Sequence, residues 1–195
     1  MAPPRLLLLP SVATLVLSST LAADPVAVRA THVPLNPSGP SQHVVGRLEY
    51  RGGLQLVSDD PRFGGISSIR VLPDGERLVA VTDEGSWLSA RLVHRRGFLE
   101  GVEGVEMGAL LGPDGKAPED KDAHDAESLA LLKDGSFVVG FERHHRLLRY
   151  PSGTGRPDGV PTPVPSPPGL EKAPLNGGIE SLVMLRGGAM SARGG

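Results

Sequence analysis

The fold is decided by a ten-residue stretch, Ala126-Glu127-Ser128-Leu129-Ala130-Leu131-Leu132-Lys133-Asp134-Gly135, that occurs in three versions. The other two versions, residues 66–75 and 179–188, align with it without gaps, at offsets of 60 and 53 residues. Each version is an apolar run that ends at a predicted two-residue turn. Asp-Gly is a strong hairpin signal because glycine accepts the positive φ that such a turn requires. The first two copies continue into second apolar runs, residues 77–82 and 136–141, whereas no second strand can be recognised in the third before Gly195.

Hairpins repeated at this spacing predict an all-β protein, and the repeat favours a β-propeller. The 26 glycines and 19 prolines indicate a chain rich in turns. A β-sandwich is the alternative, since it also contains many short strands. Because propellers close with four to eight blades, three copies predict about three antiparallel blades of an incomplete propeller, and hence a chain truncated at its C-terminal side.

A proline-rich stretch lies between the second and third copies. Residues 151–174 contain eight prolines. Proline has no backbone N–H to donate to a β-ladder, so this stretch is predicted to be an extended surface loop between blades.

The N-terminus has the layout of a secretory signal peptide. Arg5 precedes an apolar run over residues 6–17, and small residues follow up to Ala22. This run is shorter than the roughly 20 apolar residues that cross a bilayer, so a retained membrane anchor is the weaker alternative. We predict a signal peptide over 1–22, an N-terminal extension over 23–43, a propeller domain over 44–195, and a periplasmic or secreted location.

Composition restricts the partners and the chemistry. The chain has 20 Lys and Arg against 22 Asp and Glu, a balance that gives no reason to expect nucleic acid as a partner. It has no cysteine, which excludes thiol catalysis and cysteine-bound zinc. A small-molecule ester or phosphate ester is the expected partner, and the oligomeric state stays open.

Carboxylates recur at equivalent positions in the repeat. Glu127 and Glu180 begin their innermost strands, where propeller geometry directs side chains toward the central channel, and Asp125 shares a face with Glu127. Asp83 and Glu142 end the second strands of the first two copies. All five are predicted metal ligands, and Asp125, Glu127 and Glu180 are also the catalytic candidates. Ca²⁺ is the candidate cation, because it takes six to eight oxygen ligands. The structural alternative is that these acids accept hydrogen bonds from backbone N–H groups at the blade junctions.

Two further residues are candidates for substrate binding. Arg143 directly follows Glu142 and offers a bidentate fork for a phosphate or a carboxylate. A salt bridge from Arg143 to Glu127 or Glu142 is the alternative. The second candidate is Asn176, which opens the motif that contains Glu180.

Other patterns point less clearly to a site. Residues 119–125 carry four acids and a histidine but lack the order of an EF-hand loop, so we expect a solvated acidic loop. Adjacent His144 and His145 point to opposite faces of a strand, which disfavours a zinc hydrolase. Ser67 and Ser68 lack the second glycine of a nucleophile elbow and are interpreted as packing residues. Trp87, the one tryptophan, is expected to cover the core.

Six ordered motifs resemble the bacterial phytase-like family, whose members are described by an esterase-like activity of phytase. The motifs are Leu48-Glu49-Tyr50-Arg51-Gly52-Gly53, Arg62-Phe63-Gly64-Gly65-Ile66-Ser67, Thr82-Asp83-Glu84-Gly85-Ser86-Trp87, Asp125-Ala126-Glu127-Ser128-Leu129, Phe141-Glu142-Arg143 and Asn176-Gly177-Gly178-Ile179-Glu180-Ser181-Leu182. The resemblance implies an exported propeller with an esterase or phosphoesterase activity, and it implies no assigned catalytic set. One departure is Glu84, which stands where the family has arginine.

Two functional hypotheses follow from these patterns. The first is a metal-assisted phosphoesterase-like propeller, a hydrolase acting on phosphoric or carboxylic ester bonds. The second is a non-catalytic periplasmic ligand-binding or scaffolding propeller in which the same acids are structural.

Overall fold

A computed structural model describes residues 23–151, 153–185 and 189–194, which form an almost entirely β structure. The predicted signal peptide and the glycine turn of the third repeat lie outside the described residues. The helical segments are α1 (Lys121–His124) and a 3₁₀ turn (Leu170–Lys172). The strands are β1 (Asp24–Pro25), β2 (Arg29–His32), β3 (Val44–Val45), β4 (Leu48–Glu49), β5 (Leu54–Val57), β6 (Ile66–Val71), β7 (Arg77–Thr82), β8 (Ser86–Arg95), β9 (Phe98–Ala109), β10 (Ala126–Leu131), β11 (Phe137–Phe141), β12 (Arg146–Tyr150), β13 (Thr162–Val164), β14 (Ile179–Met184) and β15 (Met190–Gly194).

Each copy of the repeat opens its own antiparallel sheet. The first sheet has the order β1-β9-β8-β7-β6, the second has the order β10-β11-β12-β13, and the third is the hairpin β14-β15. Two small ribbons, β2-β5 and β3-β4, precede the first sheet in the chain. The all-β antiparallel class predicted from the repeat is therefore confirmed.

The predicted hairpins form, but their loops are longer than two residues. Gly75 and Gly135 both have positive φ, at 72° and 82°. The loops close through backbone bonds from Leu72 N to Arg77 O and from Leu132 N to Ser136 O, each 2.8 Å long. Four residues lie between the bonded positions in the first copy and three in the second, and loops of this length are built around a type I turn.

Two segments form strands where the sequence did not indicate them. Residues 190–194 pair with β14 as its antiparallel partner, so the third copy does have a second strand. Thr162–Val164 pair with β12, although this tract was expected to stay outside any ladder. The second sheet accepts Pro163 because β13 is its edge strand, where a missing N–H leaves no inner partner unbonded.

The first strands of the three sheets lie side by side. β10 contacts both β6 and β14. Arg70 on β6 joins all three, since its Nε donates to Leu129 O at 2.8 Å and its Nη2 donates to Leu182 O. This arrangement is compatible with consecutive propeller blades. None of the sheets in the described residues closes a ring, so the complete propeller stays a prediction.

Apolar cores fill the spaces between successive sheets. The core between the first and second sheets contains Val81, Leu129 and Phe137, together with Trp87, which is 1% exposed and covers this core as expected. A smaller core that includes Leu182 joins the second sheet to the third. These cores fix the relative positions of the three inner strands, on which the candidate site is built.

The N-terminal extension is integrated into the β structure. β1 adds an outer strand to the first sheet by pairing with β9, and β2 pairs with β5. Within the described ranges, no helix has the length and apolar character needed to cross a membrane.

Candidate functional site

The first strands of the three repeat sheets, β6, β10 and β14, share the same irregularity near the start of their ladders. The ladder register shifts between Ile66 and Ser68, between Ala126 and Ser128, and between Ile179 and Ser181. The residues left over in the three β-bulges are Ser67, Glu127 and Glu180. A bulge leaves one residue unpaired and re-aims its side chain. The repeat therefore presents one bulged side chain per sheet, and two of the three are glutamates.

Three acids come together at the bulge of the second sheet. Ligand oxygens of Asp125, Glu127 and Glu142 all lie within 4.8 Å of one another. Asp125 directly precedes β10, and Glu142 directly follows β11. The backbone N–H of Glu142 donates to Asp125 O at 2.8 Å, which holds the two strand ends together. We call these three residues the acidic triad.

Arg143 neutralises one member of the acidic triad. Its Nε donates to Asp125 Oδ2 at 2.6 Å, and its Nη1 donates to Asp122 Oδ1 at 3.0 Å. The backbone of Arg143 is left-handed, with φ of 55°, a conformation that is uncommon for a residue with a side chain. The salt-bridge interpretation of Arg143 is thus correct in kind, but its partners are Asp125 and Asp122 rather than Glu127 or Glu142.

Glu142 is held by the third repeat. Its Oε1 accepts a hydrogen bond from the backbone N–H of Gly178 at 2.8 Å, so a carboxylate of the second sheet is bonded to the residue that precedes β14. A Cβ on Gly178 would lie 2.8 Å from His145 Nδ1 and 3.3 Å from Glu142 Cγ. Glycine is required here because the backbone passes close to both side chains.

Two glutamates of the site, Glu127 and Glu180, have raised pKa values. Burial raises the pKa of Glu127 from 4.5 to about 7, and the charges of Asp125, Glu142 and Glu180 act in the same direction, against an opposing hydrogen bond from Ser67. Partial desolvation and the neighbouring Glu142 likewise raise the pKa of Glu180, although this residue is exposed. The site therefore concentrates negative charge that one guanidinium does not balance.

Asp83 occupies a separate position. It is the counterpart of Glu142 in the first sheet, and its N–H donates to Gly65 O at 2.9 Å. Its Oδ2 lies 4.0 Å from Lys121 Nζ, and its buried Oδ1 has no hydrogen-bond partner in the described part of the chain. Asp83 is not a member of the acidic triad.

The second substrate-binding candidate, Asn176, is exposed, and its neighbour Leu175 accepts a hydrogen bond from the Arg143 N–H at 3.1 Å. Two contributors to the site, Asp122 and Gly178, were not identified from the sequence. Gly178 carried a signal, because it stands at the repeat position that Asp125 occupies in the second copy.

Comparison with known proteins agrees with this architecture. A family model described as "Phytase-like: Esterase-like activity of phytase" matches residues 61–192, which span all three repeats and the acidic triad. The chain belongs to the phytase-like family. Searches of the curated proteins and of the solved structures each found no match. In this phytase-like protein the bulges and the acidic triad lie within the family region, whereas β1 to β5 precede it.

Proposed function

We propose that this phytase-like protein hydrolyses phosphoric or carboxylic esters with the help of a divalent cation held at the acidic triad. The single observation that carries the proposal is the convergence of Asp125, Glu127 and Glu142 within 4.8 Å at the bulge of the second sheet. Glu180, whose pKa is raised in part by Glu142, extends this negative region to the third sheet.

The donor set suits a hard cation. All three ligands are carboxylates, and Asp125 and Glu142 are buried, so their mutual repulsion is not relieved by water. Ca²⁺ prefers oxygen ligands of this type. A bound Ca²⁺ would polarise an ester oxygen and lower the pKa of a coordinated water.

The protein's own residues have distinct roles in this proposal. Arg143 positions Asp125 through the 2.6 Å bond, and the Gly178 N–H positions Glu142. Two donor nitrogens of Arg143 are occupied by carboxylates, so a substrate anion would have to share this guanidinium with Asp125 and Asp122. Asn176, which is exposed, is the more accessible candidate for contact with substrate.

A second function is supported by the same contacts. Arg143 and the Gly178 N–H give Asp125 and Glu142 the partners that purely structural acids require. A non-catalytic periplasmic ligand-binding or scaffolding protein would need only these bonds. Unlike the first proposal, it would leave the repulsion around Glu127 uncompensated.

Calcium titration combined with a p-nitrophenyl phosphate and a p-nitrophenyl acetate assay separates the two functions. We expect Glu127→Gln to weaken calcium binding and turnover at least tenfold, because it removes a charged ligand. The matched control is Glu76→Gln, which makes the same chemical change at an exposed loop position. Equal calcium affinity and equal turnover in the two variants would reject the metal-assisted mechanism.

We also propose that the protein is exported. The supporting features are the basic residue, the apolar run and the small residues that end at Ala22. Mass spectrometry of protein recovered from the periplasm or the medium should find a mature N-terminus at Ala23. Recovery of the intact Met1 form from the cytoplasm would contradict export.

A further inference from the structure

A cavity lies beside the turn that joins β8 to β9 in the first sheet. It has a volume of about 360 Å³ and is formed between the N-terminal ribbons and the tip of the β8-β9 hairpin. Its walls include His32, Val33, His43, Tyr50, Phe98 and Glu100. Small-molecule sites are typically pockets of about 300–1,000 Å³ that have mainly apolar walls and a few polar groups, and this cavity falls within that range.

Backbone hydrogen bonds hold the walls of this cavity together. Tyr50 N donates to His43 O at 2.7 Å, and Leu99 N donates to Arg51 O at 2.8 Å. The first bond closes the segment around the β3-β4 ribbon, and the second fastens that segment to the start of β9. The cavity therefore belongs to the fold and is not a gap between independent loops.

Two adjacent glycines let the walls approach each other. A Cβ on Gly52, whose φ is 110°, would lie 2.8 Å from Leu99 O. A Cβ on Gly53 would lie 2.4 Å from the hydroxyl oxygen of Tyr50. That hydroxyl donates to Val33 O, so the phenol ring is fixed in the wall. Only glycine at residue 53 leaves room for this placement of Tyr50.

This cavity is remote from the acidic triad. Gly85 packs against His124, next to the triad residue Asp125, and it directly precedes β8. β8 then runs ten residues to Arg95, which at about 3.3 Å per residue separates its two ends by roughly 30 Å. Residues 32–53 also precede the region that the family model matches. A ligand bound here would not occupy the proposed ester site.

The cavity combines aromatic walls with one negative charge. Glu100 is the one carboxylate among the lining residues. Its nearest basic neighbour, His32 Nε2, lies 3.5 Å from Oε2. The guanidinium of Arg51, which is not a lining residue, lies over the Phe98 ring at 5.2 Å from its centroid, so this ring already makes a cation–π contact. A cationic group entering the cavity would meet both a carboxylate and aromatic faces.

We propose that this cavity binds a small aromatic ammonium compound, with the ring between Tyr50 and Phe98 and the ammonium group beside Glu100. An aromatic ring matches the apolar walls, and a cation matches the charge of Glu100. A neutral analogue would keep the ring contacts and lose the charge-assisted bond. An anionic analogue would be repelled by Glu100.

The test uses three probes of similar size: 2-phenylethylamine, 2-phenylethanol and 3-phenylpropanoate. By NMR titration of the full chain, we expect the amine to bind with a Kd of about 1 mM, a value in keeping with the affinity limits of small ligands. The alcohol should bind about fivefold more weakly and the anion more weakly still. Shifted resonances should map to residues 32–53 and 98–100.

Glu100→Gln should abolish the preference for the amine over the alcohol while leaving alcohol binding intact. Its control is Glu103→Gln, which causes the same change in net charge on the same strand, outside the cavity. Gly53→Ala should weaken binding of all three probes by displacing Tyr50. Equal affinities for the amine and the alcohol, or equal effects of the two glutamate variants, would overturn the proposal. Ester hydrolysis by the Glu100→Gln variant should stay unchanged, so this test is independent of the proposed enzyme activity.

Discussion

Replacing Glu127 by glutamine should stabilise the metal-free protein at pH 8 and have a much smaller effect on its stability at pH 5. Glutamine has nearly the same shape but carries no charge to bury, and it removes repulsion with Asp125, Glu142 and Glu180. The direction is opposite to that of most substitutions at partly buried positions, which destabilise. The prediction therefore distinguishes electrostatic strain from ordinary packing.

The magnitude follows from the pKa of Glu127. The gap between 4.5 and about 7 corresponds to ~3.4 kcal/mol, at ~1.36 kcal/mol per pH unit. Glu127 keeps partial contact with solvent, so screening reduces this figure to ~1–2 kcal/mol. For a chain of this size, a change of that order shifts the melting temperature by about 3–6 °C.

The pH dependence has a defined sign. The pKa of Glu127 is raised in the folded state, so the folded protein holds this proton more tightly than the unfolded chain does. The stabilisation is fully present below pH 4.5 and is lost as the pH rises through about 7. Wild-type stability should fall over this window by ~1–2 kcal/mol more than that of Glu127→Gln.

Urea denaturation at pH 5 and pH 8, in the presence of EDTA, measures this difference. The Glu76→Gln variant controls for removal of a negative charge elsewhere. Addition of calcium at pH 8 should raise the stability of the wild type and leave Glu127→Gln nearly unaffected, because ligand binding stabilises only the state that binds. If Glu127→Gln is less stable than the wild type at both pH values, the claim that the charge of Glu127 destabilises the folded protein is wrong.

Three further predictions concern the scaffold. Arg70→Leu should destabilise the protein by ~2–4 kcal/mol, because it removes two charged hydrogen bonds to neighbouring strands. Hydrogen exchange should show the greatest loss of protection in β14-β15, and unchanged protection there would contradict this role. Gly65→Ala should lower the free energy of unfolding by ~1–3 kcal/mol, because φ is 54° and the added Cβ would lie 1.7 Å from Asp83 Oδ1. In the control Gly64→Ala, the added Cβ meets no atom within 4 Å, so the melting temperature should change little. Trp87→Ala should reduce the free energy of unfolding in urea by ~3–5 kcal/mol, and a loss comparable to that of the exposed Leu48→Ala would show that Trp87 does not support the core.

The sequence predicted those features that depend on local chemistry. Asp-Gly turns placed the hairpins of the first two copies, because glycine is needed at positive φ in both. The repeat also identified Glu127 and Glu180 as equivalent residues without any knowledge of the bulges that expose them. β15 was missed because residues 190–194 are only weakly apolar, and their strand conformation comes from pairing with β14.

The electrostatic partners were harder to predict from the sequence. Arg143 is adjacent to Glu142, yet it binds Asp125 and Asp122, because the left-handed turn at Arg143 determines which carboxylates are within reach. The role of Gly178 depends on a contact between the second and third sheets. Such contacts are set by the packing of whole sheets, which no short sequence pattern encodes.

Because the bulge is repeated, the side chain at each of three positions near the site can be exchanged independently of the others. Ser67, Glu127 and Glu180 are extra residues in their ladders, so exchanging one of these side chains leaves every cross-strand pair unchanged. Serine in the first copy and glutamate in the other two are one of several combinations of side chains that the same backbone could support. Substitution at these three positions could thus change the charge that the bulges present without redesigning the apolar cores.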